Sequence, residues 1–373
     1  QKALLLGIGS VSSGIVQPIL AWFSDRYDSR VPSIIGLLVA VLGVSFIGSA
    51  SSFAQLVMIQ VVATAGIGAY HPGAAATAGQ LARRRSLGIS IFFLAGMAGG
   101  VCGNSLSPLL VDHFAGRPVD LVRGLHSLRW LIIPGLVCVA ILTWAIRSVP
   151  HRAHDSHARH VAMDASERRA RWRGLGVVYL GNIIRFTVNM ALVSLFIDWA
   201  DGHVLSREGV TEMTSALSVH SSKLNGILQG SMQVGMGAFG IMLGVMLSHR
   251  TERRAMIVVP FLGAGAIMLV PLIGLGSAWG PTMAVGCAIL AGAGFGGVIP
   301  ISISMAQRLV PHHATLATGI VLGGGWVVAA SGPALAGIGV AHVGLGTTFV
   351  LSGIALSFSG IVSWWLPREI LDD

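Results

Sequence analysis

Long apolar runs separated by short polar stretches dominate the chain. A helix needs about 20 predominantly apolar residues to cross a bilayer. Eleven such runs can be marked, at 3–23, 32–49, 53–80, 87–111, 129–147, 175–198, 224–247, 255–275, 281–306, 315–340 and 345–366. None alternates residue by residue, which argues against the strands of a membrane barrel. The pattern predicts an all-α polytopic membrane protein. Two long polar stretches interrupt it, at 148–174 and at 201–223, the latter expected to carry a short surface helix.

The polar connections alternate in charge. One set contains Arg26, Arg30, Arg83, Arg84, Arg85, Arg147, the arginines from Arg152 to Arg173, Arg250, Arg253, Arg254, Arg308 and Arg368. The other contains only Lys2, Arg117, Arg123, Arg129, Arg207 and Lys223. The positive-inside rule puts the first set, and the C-terminus, in the cytoplasm.

Composition agrees with this pattern. Hydrophobic residues make up 53% and charged residues 10%, where a soluble domain has about 25% charged. The net charge of +9 lies in short loops, so it reads as topology rather than nucleic-acid binding. The fifty glycines predict close helix–helix contact. Cys102, Cys138 and Cys287 fall in apolar runs without metal or redox spacing and read as packing residues. No phosphate-binding Gly-x-x-x-x-Gly-Lys loop is present, so ATP is not expected as the energy source, and no nucleophile–base pattern marks an enzyme. No cofactor or metal is expected. Gly292–Gly297 resembles a dinucleotide loop only in spelling, since no strand precedes it, and it reads as helix packing. His151, His154, His157 and His160 recur every third residue, which suits either a metal-binding loop or a solvated basic linker near anionic lipid.

Arg185 is the cation that breaks an apolar run near its middle. Such a charge costs from about 2.5 to more than 10 kcal/mol, so it needs a partner or a water-filled cavity. Asn182 and Asn189 share its helical face at i−3 and i+4. The expectation is that this face looks into a central cavity and binds an anionic group; the alternative is an arginine that pairs purely for packing. His71, in Tyr70-His71-Pro72, can carry protons or can bond a carbonyl freed by the proline. Gln17, Gln229 and Gln233 can contact substrate or act as polar glue between helices.

An internal repeat organises these positions. Ala21-Trp-Phe-Ser-Asp25-Arg26-Tyr-Asp-Ser-Arg30 follows the first run, and Gly244-Val-Met-Leu-Ser-His-Arg250-Thr-Glu-Arg253-Arg254 follows the seventh. Repeats six spans apart mark one large class of secondary transporter. At these residues the chain resembles the major facilitator superfamily, whose signature turn Asp25, Arg26 and Arg30 match. The fourth run, with Gly99, Gly100, Gly103 and Pro108, is similar to a Gly- and Pro-rich helix that antiporters of that family share. Gln17-Pro18, Tyr70-His71-Pro72, Arg185 and Ala306-Gln307-Arg-Leu-Val-Pro311 followed by Ala317-Thr-Gly319 resemble the fosmidomycin-resistance branch of efflux pumps.

The resemblance implies two six-helix bundles that rock about a central site. Here 1–150 would be the N-terminal bundle with five spans, 151–173 a basic linker, and 174–373 the C-terminal bundle with six. A further helix is then expected ahead of the first run; an acid on it is one candidate partner for Arg185, a bound anion the other. The resemblance also implies a gate in which Asp25, Arg26 and Arg30, with Arg250 and Arg254, hold the halves together. The function expected is proton-coupled efflux of a small organic compound, drug or anion by a monomer in a bacterial inner membrane. An importer or uniporter on the same fold, or a membrane sensor that no longer transports, are the alternatives.

Overall fold

The computed structural model describes residues 2–26, 30–82, 85–147, 164–311 and 314–367. Every run marked in the sequence lies on a helix or a near-continuous series of helices. In the first half these are α1 (Lys2–Arg26), α2 (Arg30–Phe46), α3 (Phe53–Leu81), α4 (Arg85–Ala115), the short α5 (Leu121–His126) and α6 (Ile132–Ile146). The second half has α7 (Ala165–Glu208), α8 (Ser215–Met246), α9 (His249–Leu269), α10 (Gly280–Gly296) and α11 (Ile299–Leu309). It ends with α12 (Ala314–Gly319), a π-helical turn at Ile320–Gly324, α13 (Gly325–Ala329) and α14 (Gly332–Val362). Gly344 breaks α14 with φ of 83°, a left-handed value that glycine adopts without strain, so its two parts belong to different crossings.

By length and composition, nine helical stretches among the described residues can cross a membrane. The last of them, Leu316–Trp365, holds the two crossings that Gly344 separates. α8 is not one of the nine, because Gln229, Gln233 and its many glycines dilute its apolar content. The protein is a multi-pass helical membrane protein. Large exposed side chains such as Trp144, Ile141, Met246 and Phe358 form the apolar surface that a bilayer requires.

Local chemistry sets the helix ends. Ser52 accepts from the Gln55 amide at 3.2 Å, Asp164 from that of Ser166 at 2.9 Å, and Thr214 from that of Leu217 at 3.3 Å, each supplying a side-chain acceptor to an unpaired N–H. α7 stops at Gly209, whose φ is 66°. It has 44 residues, about 66 Å at 1.5 Å per residue, and so begins ten residues before the apolar run and ends ten after it. The polar stretch 201–223 is accordingly helical except near 209–214, rather than a loop with its own short helix. A hydrogen bond from the Ser221 hydroxyl to Asp201 joins the two long helices there.

Small residues let the helices approach. A Cβ on Gly263 would lie 2.7 Å from the Gly294 Cα, so α9 and α10 cross nearly backbone on backbone. The largest apolar core lies in the second half, where Phe186, Leu192, Phe196, Leu228, Met232, Phe295 and Phe349 are all buried. The two halves meet along α4 against α8 and along α1 against the α12–α13 series.

Candidate functional site

A cavity of about 360 Å³ lies where α1, α3 and α4 face α7, α8, α11 and the α12–α13 series. Its first-half wall carries the polar groups, set among Leu6, Ile67, Phe93 and Met97. α1 contributes Ser10, Ser13 and Gln17, spaced three and four apart on one helical face, and α3 contributes Gln60, Thr64 and His71 from a single face of its own. Its second-half wall is apolar: Phe186, Met190 and Val193 from α7, Met236 from α8, Ile299 from α11, and Leu322 and Trp326 beyond. Phe186 and Trp326 stack with centroids 4.6 Å apart and planes 5° from parallel.

Part of the polar wall has its donors engaged, while the Ser13 hydroxyl and the Gln60 amide donate to no described group. Ser10 donates to the Leu6 carbonyl at 3.3 Å, and Thr64 to the Gln60 carbonyl at 2.7 Å. The Gln17 amide nitrogen donates to Ser13 Oγ at 3.3 Å. His71 Nδ1 lies 2.8 Å from the Ile67 carbonyl, which can only accept, so Nδ1 carries the hydrogen and Nε2 of the neutral ring is an acceptor. That carbonyl sits one residue before the one at Gly68 that Pro72 deprives of its N–H. Gln17 Oε1 is buried and has no partner among the described groups.

The π-helical turn at Ile320–Gly324 sits in this wall and had no counterpart in the sequence reading; such single turns are frequent at functional sites. Glycine permits close approach on both sides of it. A Cβ on Gly323 would come 2.6 Å from the Gln17 Cβ, and one on Gly325 2.7 Å from the Phe186 ring. The run Gly323-Gly324-Gly325 is the signal that marks it.

Arg185 points elsewhere, which corrects the expectation that it faces the cavity. It is fully buried inside the second half. Its Nη2 donates to the Met256 carbonyl at 3.2 Å, to the Ser359 carbonyl at 3.4 Å and to Ser363 Oγ at 3.0 Å, and Nη1 donates to Asn182 Oδ1 at 3.1 Å. Among the described residues no carboxylate lies within ion-pair distance of it. The Met256 carbonyl is available because Pro260, four residues on in α9, has no N–H to offer it. Arg185 therefore bridges α7, α9 and the end of α14 through its two terminal nitrogens, while its buried Nε has no partner among the described residues.

The other anticipated residues divide between packing and surface. Asn182 donates to Ser302 Oγ at 2.9 Å and stays with Arg185, and Asn189 is buried on the same helix. Neither lines the cavity. Gln229 donates to the Val193 carbonyl of α7 as interhelical glue and to Asn225 of its own helix, at 3.2 Å each. Gln233 packs on Gly100 at the α4–α8 crossing, where a glycine Cβ would come within 3.1 Å of it. Gly99 and Gly103 face open space instead. Pro108 frees the Asn104 carbonyl, which lies against the Gly226 backbone of α8.

At the basic end, Arg30 donates to the Arg147 carbonyl at 3.1 Å, while Arg250 and Arg254 are exposed. The side chains of Asp25 and Arg26, and residues His151, His154, His157 and His160, lie outside the described residues. An ion pair that the sequence reading missed joins buried Glu252 of α9 to Arg308 of α11. Arg171 of α7 binds Glu167 and donates to the Arg308 carbonyl at 3.2 Å. Glu252 stands within the second copy of the repeat, four residues after Ser248, where an acid had been sought. At the opposite end Lys223 of α8 pairs with Asp112 of α4 and so connects the halves.

A helical membrane protein with a cavity between two halves has the architecture of a secondary transporter. Residues 1–219 match the Major Facilitator Superfamily, and the chain belongs to that family. It is 25% identical over 145 residues to the fosmidomycin resistance protein of Escherichia coli, a stretch that covers 38% of this chain and 34% of that protein. Among solved structures it is similar to an Escherichia coli fucose:proton symporter, with a TM-score of 0.65 at 12% identity over 97% of this chain and 90% of that one. A transporter of the POT family, solved with a thioalcohol-conjugated peptide, gives 0.66 at 14% identity over 99% and 88%. At these identities the solved structures establish the shared fold. It is a transporter fold, not that of an enzyme.

Proposed function

We propose that the protein is a proton-coupled secondary transporter that exports a small organic compound by alternating access. The cavity between the halves, with uncharged polar groups facing an aromatic pair, is the observation that carries this reading. His71 is the proton-handling candidate, because it reaches the cavity while its Nδ1 is tied to Ile67, which leaves Nε2 to take up a proton. Gln17 is the substrate contact. The likeness to the fosmidomycin resistance protein, whose name bears on direction, supports export over import. The protein would act as a monomer in a bacterial inner membrane, basic end and C-terminus inside.

Arg30, with Asp25, Arg26, Arg250 and Arg254, would gate the basic end. Arg185, Asn182, Asn189, Gln229 and Gln233 would support transport by fixing helix positions.

Purified protein in liposomes with an entrapped pH dye tests the reading. Small organic compounds of neutral, anionic and cationic type are added in turn, under an imposed pH gradient. Proton movement with at least one compound, abolished in His71→Ala, is expected. Compound movement indifferent to the gradient would leave an importer or uniporter, and no response at all would remove the transporter reading.

A further inference from the structure

The chemistry of the cavity wall limits what it can hold. Among the described residues that line it, none is Asp, Glu, Lys or Arg, and His71 is the one titratable side chain. The cation anticipated for anion binding is 0% exposed and bonded within the second half. An anion entering here would lose its hydration without gaining a counter-charge, which is strongly unfavourable in a low-dielectric site. A cation would meet the same difficulty, since no carboxylate lines the wall.

What the wall offers instead is neutral hydrogen-bonding groups: donors at Ser13 and Gln60, and one orphaned buried acceptor at Gln17. The hydroxyl hydrogen of Thr64 and the Nδ1–H of His71 go to backbone carbonyls of their own helices, and that of Ser10 to the Leu6 carbonyl or to Met190 Sδ in the second half. The Gln17 nitrogen goes to Ser13. Gln17 Oε1 remains: it is buried, it belongs to a side chain that lines the cavity, and no described group donates to it. A buried carbonyl without a donor is unfavourable, so a ligand N–H or O–H is its natural complement. Across the cavity the stacked Phe186 and Trp326, with Met97, Met190 and Met236 nearby, supply a flat and polarisable surface.

We infer that the cavity selects uncharged aromatic compounds bearing a hydrogen-bond donor, such as phenols or aryl amides, with Gln17 Oε1 receiving the donor and the Phe186–Trp326 pair facing the ring. The inference rests on the transporter reading for its purpose, but not for its chemistry. It departs from an anionic substrate, which Arg185 had suggested from sequence.

The test is equilibrium binding of radiolabelled naphthalene derivatives to the purified full chain at neutral pH. 1-Naphthol has a ring and a donor, 1-methoxynaphthalene the ring alone, 1-naphthoate the ring with an anion, and 1-naphthylmethylammonium the ring with a cation. Saturable binding of 1-naphthol, about tenfold tighter than each of the other three, is expected, since an unpaired buried acceptor discriminates at least that strongly. Gln17→Leu should bring 1-naphthol down to the level of 1-methoxynaphthalene while leaving the latter unchanged. The wild-type ranking decides by itself if that variant does not fold.

Equal or tighter binding of the anion or the cation overturns the inference. So does a methoxy compound that matches 1-naphthol, or the absence of any saturable binding. Proton-coupled flux of an anion without 1-naphthol binding would remove this substrate class and leave the transporter reading intact. 1-Naphthol binding with no coupled flux of any compound would do the reverse.

Discussion

Replacing Arg185 by Met, alone and together with Pro260→Ala, isolates the bond between the buried guanidinium and the Met256 carbonyl. Met fills similar length without charge, so the single variant loses three interhelical hydrogen bonds and one to Asn182 of its own helix. Interhelical bonds in membranes average about 0.6 kcal/mol each, and the loss is further offset by no longer burying a cation, worth about 2.5 kcal/mol or more. The largest remaining penalty is the Met256 carbonyl left without a donor, about 1–3 kcal/mol. In the Pro260→Ala background the substituted position gains a backbone N–H that can close the helix onto that carbonyl, and this penalty disappears. The double-mutant cycle should therefore show a coupling of about 1–3 kcal/mol, with Arg185→Met milder in the Pro260→Ala background. Reversible unfolding of the four proteins in mixed micelles by added SDS measures it. Additivity within about 0.5 kcal/mol would refute the reasoning that Arg185 substitutes for the missing proline N–H.

Other positions give shorter predictions. Glu252→Gln should destabilise the protein by about 1–3 kcal/mol, less than for a fully buried pair because Arg308 is partly exposed, and thermal unfolding with Arg308→Gln beside it will show whether the two losses are shared. Gly263→Ala should cost about 1–3 kcal/mol, since its Cβ would press on the Gly294 backbone, whereas Gly99→Ala, facing open space, should be neutral in the same denaturation assay. Lys223→Met should weaken the link between α4 and α8 at the end away from the arginines. Its effect should appear as faster thiol labelling at the seam between the halves rather than as a large stability change, because the pair is solvent-screened.

The eleven runs were legible in the sequence because the bilayer demands length and apolarity from each crossing. The family was legible because its signature turn can be spelled out at Asp25, Arg26 and Arg30. The face of α7 was another matter. Helical spacing correctly grouped Asn182 with Arg185, which are hydrogen-bonded. It could not say which way the group points. The cavity is lined instead by Phe186, Met190 and Val193, one residue and so about 100° further round the helix. Apolar lining residues look like any other part of a membrane helix, so nothing in the pattern marked them. Pro260 was visible in the sequence, but that its orphaned carbonyl meets Arg185 depends on the packing of α7 against α9. Glu252 was overlooked because the acid was sought at Ser248, and its partner Arg308 lies 56 residues away in another helix.

The most direct test of the account is whether the cavity lined by Gln17 and Trp326 opens to both sides of the membrane in turn. Cys102, Cys138 and Cys287 are replaced by Ala, Ser13 in the cavity wall is changed to Cys, and a membrane-impermeant thiol reagent is applied to each face separately. Alternating access predicts labelling from either side, with a pH gradient slowing one and speeding the other. Labelling confined to one side whatever the gradient, or absent from both, would contradict it.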